Sequence, residues 1–111
     1  MTSTGFSVVA ILHPTKGKTE RLLELLHELS NHVQHNEPGT LQYEVHRELR
    51  PGHDGNEDVV VLEQYRDRAA LKAHGSSEKF VAFQGQVKLE GLMRAPMTLK
   101  MVSRKAGFSR L

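Results

Sequence analysis

The chain contains no cysteine and no tryptophan. The first absence removes disulfides, thiolate metal sites and cysteine nucleophiles, and it leaves the redox compartment unreadable. Aromatic residues are scarce, four Phe and two Tyr in 111 positions, so the core must be thin and largely aliphatic. No apolar run approaches the roughly 18 residues of a membrane helix, and the N-terminus carries no signal-peptide pattern, which points to a cytoplasmic protein without a membrane partner. Phosphate loops, dinucleotide fingerprints and Gly-x-Ser-x-Gly elbows are missing as well. Acidic residues stop at Glu90, so the last 21 residues carry +5 while the first 90 hold 10 basic against 13 acidic. With only Phe108 available for stacking, that basic end reads as solvated charge, and no nucleic-acid partner is expected. The length suits one domain. We place it at residues 1–103, with 104–111 as a short basic C-terminal tail.

Hydrophobic periodicity supplies the elements. Phe6 to Leu12 is rich in β-branched residues and reads as a strand stopped by His13-Pro14. After a turn at 16–19, with Thr19 as the expected N-cap, Leu22, Leu26, Leu29 and Val33 form one apolar stripe of a helix reaching about His35. Glu37-Pro38-Gly39 ends it. Thr40 to Glu48 alternates at period two, with Leu41, Tyr43 and Val45 on one face. Arg50 to Asn56 is dense in turn formers, and Val59 to Tyr65 reads as a third strand. Asp67 to His74 suits a short helix, and Gly75-Ser76-Ser77 interrupts it. Glu78 to Glu90 resumes helical, with Phe80, Phe83 and Val87 on one side, and Met97 to Val102 closes the set as a fourth strand. The order is β-α-β-β-α-β. That is an α+β, ferredoxin-like arrangement: an antiparallel sheet with its helices on one face.

Two strands are apolar at consecutive positions, Val8 to Leu12 and Val59 to Leu62, which makes both faces of the sheet apolar. The helices cover one face only. A second copy of the sheet is the simplest cover for the other, so a homodimer is expected.

Seven histidines invite a metal reading, but their spacing does not support one. His27, His32 and His35 diverge around the first helix, and His13, His46 and His53 fall on separate strands and a loop. His74 differs because Ala70 and Leu71 share its side of the helix. A histidine so placed is commonly structural. Yet Glu63 and Tyr65 share a strand face just upstream, and a Tyr/Glu/His group can bind or deprotonate a phenol or enol if its members meet.

These segments carry a resemblance. Glu37-Pro38-Gly39 leading to Tyr43-Glu44, then Glu63-Gln64-Tyr65, then Ala70-Leu71-Lys72-Ala73-His74 and Ser77-Glu78-Lys79-Phe80 together resemble the antibiotic biosynthesis monooxygenase domain family. The likeness extends from about residue 6 to 102. It implies a dimeric α/β barrel and an O2-dependent oxidation of a small phenolic, quinol or polyketide-like molecule with no cofactor. By that resemblance His74 is the catalytic base or substrate partner, and Tyr65 lines the substrate pocket. Tyr43, Glu63, Phe80 and Phe83 are further substrate-binding candidates. Lys79 stands where several members carry a second histidine. Haem-degrading relatives use a tryptophan and a histidine where this chain has Tyr65 and Gln84, which disfavours haem chemistry. The family also includes isomerases, and a non-catalytic ligand-binding or stress-response dimer is the alternative from another class. Finally, Ser109-Arg110-Leu111 resembles a C-terminal peroxisomal address, meaningful if the source is eukaryotic.

Overall fold

A computed structural model describes residues 5–110. Its elements are β1 (Phe6–Pro14), α1 (Thr19–Asn36), β2 (Thr40–Arg47), β3 (Val59–Tyr65), α2 (Arg68–Ser76), α3 (Glu78–Leu89) and β4 (Met93–Val102). The strands form one antiparallel sheet in the order β2-β3-β1-β4, with the helices on one face. The expected ferredoxin-like α+β fold is therefore present.

Alternation assigns the two faces of the sheet. Val8, Ala10, Leu12 and Pro14 of β1 are buried beneath the helices, as are Val59, Val61, Glu63 and Tyr65 of β3. Strand register turns these into rows: Tyr43, Glu63, Val8 and Met101 form one row across the sheet, and Val45, Val61, Ala10 and Leu99 form the next. Leu22, Leu26, Leu29 and Val33 close the core from α1, as their helical spacing requires. On the opposite face Val9, Ile11, Val60 and Leu62 lie side by side, half-buried, with Glu44, His46, Thr98 and Lys100 flanking them. Both faces are thus apolar at their centre.

The structure corrects four details. Lys18, not Thr19, occupies the N-cap of α1; Thr19 is the first helical residue and is buried. Strand β1 continues through His13 and Pro14, because a register shift there relaxes the pairing with β4. β4 begins at Met93 rather than Met97, since Pro96 is tolerated on an edge strand whose outer side has no partner to receive an N–H. Leu41 does not share the buried face of Tyr43 and Val45. A bulge between Thr40 and Gln42 turns it outward, leaving it 61% exposed.

The turn from α1 into β2 packs closely on α2. Glu37 caps α1 through its backbone N–H to Val33 O, and the Gly39 carbonyl accepts from Arg66 N at 2.8 Å. Gly39 packs directly on α2. A side chain at this position would place its Cβ 2.6 Å from the Ala70 Cβ, so glycine is needed for the approach. Gly39→Ala is expected to cost about 1–3 kcal/mol through overpacking, read as a lower urea midpoint at unchanged slope.

Candidate active site

Three segments deliver the acid–base groups, and β2 and α3 add the aromatic wall. Strand β3 ends on Glu63 and Tyr65, both pointing toward the helices because they are two residues apart. Helix α2 is capped by Asp67, whose carboxylate accepts from Ala70 N at 2.9 Å, and this cap sets the helix phase that turns Ala70 and His74 inward. The end of α1 contributes Glu37. The three expected partners do meet: Tyr65 donates its hydroxyl to Glu63 Oε1 at 2.5 Å, and the Tyr65 and His74 rings lie 5.9 Å apart.

His74 is buried, and its Nδ1 donates to Glu37 Oε1 at 2.7 Å. A carboxylate at Nδ1 selects the tautomer of the neutral ring that carries its lone pair on Nε2. Tyr43 and Phe80 hold the ring from two sides, with centroids at 5.2 and 4.9 Å. Glu37 Oε2 is buried without a hydrogen bond; the His32 Nε2 stands 3.6 Å away, in ion-pair range. Neither Glu37 nor His32 stands out as a site residue in the sequence. Glu37 reads there as the polar end of a helix before proline, and His32 as one of several histidines on that helix.

A cavity of about 260 Å³ opens beside His74, between the sheet and helices α2 and α3. His74, Glu63, Tyr43, Phe80 and Phe83 all line it, with Val8, Ala10 and Leu99 as its floor. Tyr65 is a correction. It is fully buried and does not line the cavity, but sits one layer deeper, supporting Glu63 and His74 from behind. Phe6 packs against its outer side at 6.0 Å.

The electrostatics follow from burial. Loss of water pushes the Glu63 carboxyl up to about 7; the nearby Glu37 charge adds to this, and the Tyr65 hydroxyl opposes it. The Tyr43 and Tyr65 phenols are held far above their ordinary range, first by burial and then by the Glu63 charge. The cavity therefore combines an imidazole, a carboxyl that can be either acid or base near neutrality, and the neutral Tyr43 phenol, with the Tyr65 phenol one layer behind. Among the described residues no three His, Asp or Glu side chains converge as metal ligands. Gln84 also lines the cavity, whereas Tyr65 is walled off from it.

An antiparallel ferredoxin-like sheet with a histidine- and tyrosine-bearing chamber beneath its helices defines a small α+β domain built around one ligand cavity. The chain belongs to the antibiotic biosynthesis monooxygenase family, whose model matches residues 5–86. Among solved structures, a Pseudomonas aeruginosa protein is 29% identical with a TM-score of 0.79, covering 96% of this chain and 99% of its own. A Caulobacter crescentus protein, provisionally named an antibiotic biosynthesis monooxygenase, is 26% identical with a TM-score of 0.79, covering 94% and 92%. A Mycobacterium tuberculosis protein at 24% identity shares the fold, with a TM-score of 0.75 and coverage of 95% and 99%. No curated protein sequence matches the chain significantly.

At the other end of the chain, Ser109 and Arg110 are exposed, the Arg110 guanidinium standing over the Phe108 ring; Leu111 of the expected address lies outside the described residues. None of the helices among the described residues is long and apolar enough to cross a membrane.

Glu63 makes stability pH-dependent in a calculable direction. Its folded value of about 7 lies above the ordinary 4.5, so the folded state holds the proton more tightly. That contribution is complete below pH 4.5 and is lost as pH rises through 7. Glu63→Gln, which keeps the shape and removes the titration, is expected to gain on the wild type by on the order of 2–3 kcal/mol between pH 5 and pH 8 in chemical unfolding.

Proposed function

We propose that the protein is a cofactor-independent monooxygenase that oxidises a small phenolic, quinol or polyketide-like substrate with O2, acting as a homodimer. The observation that carries this reading is the buried Glu37–His74 pair on the wall of an apolar, aromatic cavity. His74 Nε2 takes the proton of a phenol or enol hydroxyl, and Glu37 stabilises the imidazolium so formed. The substrate anion is then electron-rich enough to pass one electron to O2. Superoxide and the substrate radical combine at carbon, the peroxide so formed takes back the proton held by His74, and loss of water from the hydroperoxide leaves a carbonyl. A CH2 group and one O2 thus become C=O and H2O. The protein's part is proton transfer, orientation and exclusion of solvent. Glu63 in its neutral form can donate to a substrate oxygen, and Tyr65 fixes its rotamer.

Oxygen uptake with anthrones and quinols tests this. The expected outcome is a fall of about 10²–10⁴-fold in His74→Ala and a smaller fall in Glu37→Gln, both with native circular dichroism. Absence of uptake by the wild type across both classes would sink the monooxygenase reading.

The dimer is supported by the open sheet face, where Val9, Ile11, Val60 and Leu62 form an apolar centre inside a polar rim. Sedimentation is expected to give twice the 12.5 kDa chain mass at micromolar concentration, and Ile11→Glu to shift it toward one chain. A wild type that sediments as one chain would refute the assembly.

A further inference from the structure

The inner cavity does not exhaust the space around Phe80 and Phe83. A second cavity of about 640 Å³ adjoins it, running between α3 and the first half of β4. Leu12, Phe80, Phe83, Gln84 and Met97 belong to both walls, so the two are neighbours through a shared partition. The inner space alone falls below the ~300 Å³ at which small-molecule sites begin, whereas the two together lie inside the usual range of ~300–1,000 Å³.

Chemistry changes along this line. Titratable groups sit at the inner end, Glu63, His74 and Tyr43. The partition is aromatic, with the Phe80 and Phe83 rings stacked at 6.3 Å. Beyond it the wall is apolar, from Val87, Met93, Ala95 and Pro96, and it carries two cations, Lys88 and Arg94. Arg94 is committed to the fold: it donates to Asp58 Oδ1 at 2.8 Å and to Pro14 O at 2.6 Å. Lys88, in the last turn of α3, is exposed, and none of the ion pairs among the described residues uses it. The outer cavity thus offers one uncommitted positive charge on a largely apolar wall.

We propose that the site takes an elongated ligand: a hydroxylated aromatic head in the inner cavity, an apolar extension in the outer one, and a terminal carboxylate at Lys88. This rests on the reading of the inner cavity as a phenol site. Lys88 and Ala95 then set specificity without touching the reacting atoms.

Three probes separate the parts by equilibrium binding, followed by tyrosine fluorescence or calorimetry without turnover. They are 1-naphthol, the same ring bearing a hexanoate chain, and the methyl ester of that acid. The acid is expected to bind at least about tenfold more tightly than 1-naphthol, because the chain is removed from water. The ester is expected to lose about two- to fivefold relative to the acid, the size of an exposed charge contact. Lys88→Gln should abolish the difference between acid and ester and leave 1-naphthol unchanged. Ala95→Trp should remove the gain from the chain, again with 1-naphthol unchanged, which also reports that the variant is folded. Equal affinities for all three probes would overturn the extended site and leave the phenol site standing. Failure of 1-naphthol and both extended probes to bind would overturn the phenol site, and the extension with it.

Discussion

The hydrogen bond between Glu37 and His74 joins positions 37 residues apart, and most of the local architecture exists to let it form. Glu37 closes the last turn of α1, Pro38 stops the helix, and Gly39 removes the side chain that would hold α2 away. Asp67 fixes where α2 begins, and therefore which of its residues turn inward. One carboxylate, one proline, one glycine and one cap act as a unit. Each would be ordinary alone; together they bring an imidazole against the sheet with its outer nitrogen uncommitted.

That arrangement is costly for so small a protein. Two largely buried carboxylates, Glu37 and Glu63, lie close enough for the charge of one to act on the other, and burying such groups is unfavourable unless they are paired or neutral. The molecule uses both solutions. Glu37 keeps a hydrogen-bonded histidine and a second one within ion-pair distance, whereas Glu63 gives up its charge readily and is held by Tyr65. Stability spent in this manner at one corner of an otherwise aliphatic core is the usual mark of a functional site.

How much of this is legible in the chain depends on whether the signal is local. Strand β3 is read correctly because Val59 to Leu62 is continuous and Glu63 to Tyr65 repeats the inward phase. The stripe of α1 is equally plain, and so is the break between α2 and α3. Leu41 misleads because its bulge is imposed by the pairing of Thr40 with Tyr65, a contact 25 residues away that period-two counting does not contain. The start of β4 misleads for a related reason: Pro96 is a breaker in a central strand, but only the sheet order shows that β4 is an edge. At the site, His74, Glu63 and Tyr65 are visible as residue types close in sequence. Glu37 and His32 are not, since their role is defined only once α1 and α2 are neighbours.

The near-neutral carboxyl at Glu63 also ties the chamber's occupancy to the proton balance of its surroundings. An occupant whose oxygen needs a donor favours the protonated group, and one whose hydroxyl needs an acceptor favours the ionised group. Arrival of either shifts a fraction of a proton between protein and buffer, by the reciprocity that governs any two linked equilibria. The heat evolved on binding then depends on which buffer receives that proton, and two laboratories working in different buffers would record different enthalpies for the same contact.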